Sequence, residues 1–98
     1  MGNYVIINCE SGCALEAHLD HNQEPGKQCF MRNNANQNSQ RWKIVPGTGQ
    51  AQGRGYSIIM ADSGFCLDVE GADFHDEADV ITWYTEGKPN QTWLIEPA

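Results

Sequence analysis

The chain repeats itself. "YVIINCESGCALEA" begins at Tyr4 and "YSIIMADSGFCLDV" at Tyr56. In one register Tyr4 matches Tyr56, Ile6 matches Ile58, Ile7 matches Ile59 and Leu15 matches Leu67; Ser11-Gly12 falls on Ser63-Gly64, and the acid Glu16 on the acid Asp68. The offset is 52 at these positions and 51 at a closing pair, "QRW" and "QTW", where Trp42 matches Trp93. Ordered matches that end in a shared Gln-x-Trp mark an internal duplication, which constrains the architecture more than any local pattern does. It divides a single domain, 1–98, into repeat one at 4–45, a connection at 46–55 and repeat two at 56–98.

Neither repeat sustains a 3.6-residue apolar period. Short runs rich in Val, Ile, Tyr, Phe and Trp alternate with Gly, Asn, Asp, Ser and Pro, the pattern of an all-β chain. Strands are predicted at 4–8, 14–18, 28–32 and 41–45, and again at 56–61, 65–70, 80–84 and 92–96. Leu67-Asp68-Val69-Glu70 alternates apolar with polar residues, as a half-buried strand does. The Ser-Gly pairs supply a turn after each first strand. "PGTGQAQGRG" at 46–55 lacks Gly-x-Gly-x-x-Gly and Gly-Lys-Ser/Thr and leads into a strand, so it reads as a connector and not a phosphate loop.

Composition narrows the function classes. Thirteen acids against six bases give a formal charge of −7, which argues against nucleic-acid phosphate and against anionic membrane surfaces as partners. No apolar run approaches the ~18 residues of a membrane-spanning helix. Without a leader pattern at the N-terminus the expectation is a cytoplasmic protein with reduced thiols. Cys66 lies in an apolar strand pattern as a small hydrophobe, whereas Cys9, Cys13 and Cys29 share repeat one and leave one bridge open in an oxidising setting. Their spacing does not make zinc knuckles. The acids Glu70, Asp73, Asp76, Glu77 and Asp79 do not follow a calcium-loop spacing and read as a solvated loop. No metal and no cofactor is expected.

Four short strands per repeat and the ordered set Ser-Gly, Cys-Leu-Asp-Val, Val-x-x-Trp and Asn-Gln-x-Trp, complete in "SGFCLDVEGADFHDEADVITWYTEGKPNQTW", resemble the ricin-type (R-type) lectin family, whose fold is the β-trefoil. The resemblance covers nearly the whole chain. It implies that Trp42 and Trp93 are core anchors, and that the glutamines bond backbone in the turn region. It also implies a sugar site in repeat two, with Asp68 as carboxylate, Trp83 as stacking platform and Asn90 as amide partner. The chemistry suits a pyranose. Its C–H face packs on an indole, and its hydroxyls need directed partners such as a carboxylate and an amide. Phe74 and His75, midway along the loop between Asp68 and Trp83, are further ligand candidates, each also readable as ordinary surface. In repeat one Glu16, Arg32 and Ser39 stand at the three site positions, so the platform is missing and this repeat is read as structural.

A β-trefoil has three such repeats and this chain has two. Open edges and an exposed core wedge are costly, so homo-oligomerisation is expected to complete or cover the fold. The function implied is binding of galactose- or N-acetylgalactosamine-type glycans, as in the cytosolic lectins of this fold in fungi, without catalysis. The alternative is a protein-binding trefoil such as a protease inhibitor, which has no need of Asp68, Trp83 and Asn90 together. An enzyme built on Cys29 with His18 or His21 lacks any marked orienting residue. Asn90-Gln91-Thr92 is a glycosylation acceptor, and a glycan on Asn90 would cover the expected site.

Overall fold

A computed structural model describes residues 2–18, 24–47, 49, 53–72 and 76–97. Phe74, His75, Asp73 and His21, each singled out by the sequence, lie outside the described residues. Six strands form: β1 (Ala14–Ala17), β2 (Cys29–Arg32), β3 (Trp42–Pro46), β4 (Tyr56–Met60), β5 (Cys66–Val69) and β6 (Val80–Trp83). The only helical segments among the described residues are short 3-10 turns. β1 and β2 pair alone, while β3-β4-β5-β6 make an antiparallel sheet that joins the end of repeat one to repeat two.

The turns form as their Ser-Gly pairs require. Gly12 and Gly64 adopt φ of 74° and 83°, and their N–H groups donate to Asn8 O and Met60 O at corresponding places in the two repeats. The predicted outer strands are shorter than expected. At 4–8 the ladder reduces to the bridges Tyr4↔Trp42 and Ile7↔Ala14, and at 92–96 to Tyr56↔Trp93. A neighbouring strand makes the difference. β3 runs five residues because β4 lies beside it, with Ile44 facing Ile58. Among the described residues the equivalent stretch after Trp93 pairs only through the Tyr56 bridge.

The core is small, as the chain length requires. Ala17, Trp42, Ile58, Met60 and Leu67 are its buried cluster, with Leu15, Cys29, Ile44, Val80 and Trp93 packed against it. Trp42 is fully buried, as expected of a core anchor. Trp93 is only half-buried, because its ring lines an open apolar cleft of about 360 Å³ together with Leu15, Cys29, Phe30, Leu67 and Val80. Each indole N–H donates to a strand carbonyl, Trp42 to Leu15 O at 3.1 Å and Trp93 to Leu67 O at 3.2 Å, so both rings are held alike.

One glycine is fixed by a close approach. Gly55 sits at φ 150°, and a β-carbon there would stand 2.7 Å from the carbonyl oxygen of Trp93. That oxygen accepts the Tyr56 N–H at 2.9 Å, the contact that closes repeat two on itself. Gly55→Ala is therefore expected to destabilise the chain by about 2 kcal/mol through backbone displacement at this bridge. Denaturant titration checks it, and an unchanged midpoint would show that the bridge yields freely.

All four cysteines are free thiols. Burial pushes the Cys29 thiol up to about 12 and the Cys66 thiol up to about 11, from an ordinary 9.0. A neutral thiol in an apolar wall is a poor nucleophile, and His18, its expected base, is exposed beyond the end of β1. Folding favours the protonated form of both thiols. Their contribution to stability is complete below pH about 9, where unfolded thiols hold their protons, and is lost as the pH rises through the folded values. In the native chain iodoacetamide is expected to alkylate exposed Cys9 and spare Cys29 and Cys66. Mass spectrometry before and after unfolding reads this directly.

Candidate functional site

The two glutamines of the Gln-x-Trp signatures make the same three-way junction in both repeats. Gln91 Nε2 donates to Asp68 Oδ2 at 2.9 Å and to Tyr84 O at 2.8 Å, while its Oε1 accepts the Glu86 N–H at 2.8 Å. Gln40 Nε2 donates to Glu16 Oε1 at 3.0 Å and to Asn33 O at 2.8 Å, and its Oε1 accepts the Ala35 N–H at 2.9 Å. Both glutamines are fully buried. Each thus does more than bond backbone in a turn, for it also fixes the carboxylate of the second strand. Sequence reasoning had no local signal for this link, since Gln91 and Asp68 are 23 positions apart.

In repeat two the junction opens onto a cleft of about 490 Å³ lined by Asp68, Glu70, Gly71, Ala72, Ile81, Trp83, Glu86, Lys88 and Asn90. Its volume falls within the ~300–1,000 Å³ of small-molecule sites. Asp68, Trp83 and Asn90, the trio named by the resemblance, all face it. β5 and β6 pair Asp68 with Ile81 and Cys66 with Trp83, which sets carboxylate and indole at neighbouring levels of the sheet. The 3-10 turn Pro89–Gln91 brings Asn90 alongside.

The Asp68 carboxylate is buried, and each of its oxygens has one partner in the chain. Oδ1 accepts from Asn90 Nδ2 at 3.1 Å and Oδ2 from Gln91. A carboxylate has about four lone-pair sites, so two remain for ligand hydroxyls. The second Asn90 amide proton goes to Val69 O at 3.1 Å. Of the acceptor and donors that an amide brings, Asn90 therefore has its carbonyl oxygen left to offer, its Nδ2 being engaged within the chain. The same bonds bear on the glycosylation acceptor, because attaching a glycan at Nδ2 would break the hold on Asp68.

Trp83 is the exposed member, 39% accessible at the end of β6. Its ring meets Tyr84 edge to face at 5.6 Å, and Tyr84 meets Phe65 in the same manner at 5.6 Å. A β-carbon on Gly26 would touch the ring at 3.4 Å, so the backbone of repeat one also flanks the platform. That segment is laid along β6 by the Gln28↔Ile81 bridge and by the Thr82 N–H donating to Lys27 O. Gly26 and Lys88 went unrecognised in the sequence, whereas Gly71 and Ala72 open the loop 71–79 that the sequence places as a wall of the site. Positive φ at Gly71 and Ala72, 66° and 52°, curls the 3-10 turn Glu70–Ala72 into the cleft wall.

The equivalent place in repeat one differs in its charges. The Arg32 guanidinium lies over the Phe30 ring at 4.9 Å and pairs with Glu16 Oε2 at 3.7 Å. A cation of the chain itself thus takes the carboxylate oxygen that Asn90 takes in repeat two. Among the described residues no three His, Cys, Asp or Glu side chains converge as a metal site. Asp79, one of the loop acids, bonds Gln28 Nε2 at 3.3 Å instead. No helix of the described chain is long and apolar enough to cross a membrane.

These features define a Gln-x-Trp trefoil repeat with an open aromatic-carboxylate cleft. The model of the ricin-type beta-trefoil lectin domain-like family matches residues 1–83 and again 48–98, and the chain belongs to that family. A designed 3-fold symmetric protein, ThreeFoil, is 29% identical with a TM-score of 0.80 over 95% of this chain and 63% of its own. An exo-beta-1,3-galactanase from Clostridium thermocellum, 1,3Gal43A, has the same fold over 100% of this chain and 20% of its own, at 24% identity and a TM-score of 0.81. The chain is thus a partial trefoil, spanning less than two thirds of either structure. No curated protein matches its sequence.

Proposed function

We propose that the chain binds carbohydrate through the repeat-two cleft, with galactose- or N-acetylgalactosamine-type glycans as ligands and no catalysis of its own. The observation that carries the reading is the convergence of a half-exposed indole with a buried, doubly held carboxylate in one open cleft. The pyranose C–H face lies on Trp83, the free lone pairs of Asp68 accept two hydroxyl protons, and Asn90 Oδ1 accepts a third. Family membership supports carbohydrate as the ligand class, and the galactanase neighbour lends its sugar to the proposal as an analogy only. Repeat one, with Arg32 bonded across its own carboxylate, contributes no sugar site.

We further propose that copies associate in the cytoplasm, so that individually weak sites act together. A glycan panel with free galactose as competitor tests the central reading. Binding confined to galactose-terminated members and displaced by the free sugar is the expected result. A panel without a single binder would end the lectin reading and turn attention to protein partners such as proteases.

A further inference from the structure

At Gln28 the chain changes partners. Cys29–Arg32 pairs with β1, whereas the stretch just before it lies along the outer edge of β6. Gln28 bridges Ile81, the Gly26 N–H donates to Thr82 O, and the Thr82 N–H donates to Lys27 O at 3.1 Å. Gln28 Nε2 also reaches Asp79 Oδ1 at 3.3 Å, just before β6 begins. The end of this stretch of repeat one is thus strapped onto a strand of repeat two.

The strap stops against the platform. Strand alternation puts Ile81 and Trp83 on the cleft side of β6 and the buried Thr82 on the other. Gly26, bonded to Thr82, comes up beside the six-membered ring of the Trp83 indole. A β-carbon on Gly26 would stand 3.4 Å from Cζ3 and 3.8 Å from Cε3 of that ring. The first atom of a side chain is therefore already in contact, and a longer side chain competes with the ring for its place. Gly26 also sits at φ 90°, where residues with a β-carbon are rare. A half-exposed indole turns about two side-chain bonds unless something holds it. Tyr84 meets the ring edge to face, and Gly26 closes on its benzo edge. The ring is thereby set before a ligand arrives, and the ligand does not bear the entropy of ordering it.

We propose that Gly26 is a positioning residue of the carbohydrate site, which is therefore composed from both repeats. Repeat two supplies Asp68, Trp83 and Asn90, and the strap of repeat one holds the Trp83 indole in its stacking orientation. Gly26 acts through the ring and not on the sugar. The role rests on the carbohydrate reading of the cleft, and the experiment keeps the two apart.

Gly26→Leu is expected to lower affinity for a galactose-terminated glycan about tenfold, the worth of the stacked face, with β-sheet circular dichroism retained. Gly26→Ala, whose β-carbon only reaches contact distance, is expected to lose less, and it carries the same comparisons should the leucine variant not fold. Rescue distinguishes a brace from a strained backbone. A phenyl ring has no atom at Cζ3, so Gly26→Leu combined with Trp83→Phe is expected to bind as Trp83→Phe alone does. Equal losses in the indole and phenyl backgrounds would overturn the proposal, as would a folded Gly26→Leu of unaltered affinity. In the ligand-free chain the Hζ3 resonance of Trp83 is expected to move in Gly26→Leu while those of Trp42 and Trp93 stay, and a stationary Trp83 would equally overturn it. If the unaltered chain bound no glycan, the carbohydrate reading would fall, and this resonance alone would decide whether the strap positions the indole.

Discussion

Replacing Trp83 with alanine is expected to abolish measurable glycan binding while leaving the chain folded. Trp83 lies outside the buried cluster and 39% of it is accessible, so the fold gains little from its ring. A sugar face that covers roughly 60 Å² of the indole, at ~25 cal/mol per Å², is worth about 1.5 kcal/mol, a factor of about ten in affinity. Directed stacking adds to this, and a weak site has no reserve to lose. Isothermal titration with a galactose-terminated glycan, run beside thermal unfolding, separates the two effects. Unaltered affinity in the folded variant would place the ligand elsewhere.

The second large effect falls on stability. Gln91→Leu removes three bonds at once and leaves Asp68 Oδ2, Tyr84 O and the Glu86 N–H without their buried partner. Unsatisfied buried groups cost about 1–3 kcal/mol each, more where one is charged, so a loss of about 4 kcal/mol is expected. Against the ~5–15 kcal/mol of a typical domain this is a large fraction. Gln40→Leu is expected to cost about as much, since Glu16, Asn33 O and the Ala35 N–H lose the same three bonds. Asp68→Asn in the Gln91→Leu background is expected to cost less than the two single changes added, because an unpaired neutral amide is cheaper to bury than an unpaired carboxylate. Additive costs would mean that the glutamine serves the turn and not the carboxylate.

Much of this was legible in the residues. The duplication and the Ser-Gly turns located the six strands that form, because β pairing follows local alternation and turn chemistry, while the stretches 4–8 and 92–96 reduce to isolated bridges. That Asp68, Trp83 and Asn90 line one cleft was anticipated by the family resemblance, because each sits within a few residues of a recognisable motif. Long-range and conformational facts were not. The Gln–carboxylate bond spans two strands, Gly26 reaches Trp83 from the other repeat, and the curl at Gly71-Ala72 depends on backbone angles. The direction in which Asn90 spends its amide was hidden too, since an asparagine in sequence is both donor and acceptor until its neighbours are known. The half-burial of Trp93 follows from the open cleft, which no single repeat reveals.

The measurement that bears most directly on the account is a titration of the isotope-labelled chain with N-acetylgalactosamine, followed by amide and indole N–H chemical shifts. The account predicts shifts confined to the Trp83 indole, the Gly71 amide and the Asn90 side chain, with Arg32 and Gln40 of repeat one unmoved. A spectrum that does not change, or one that changes around Glu16 and Arg32 instead, would contradict it.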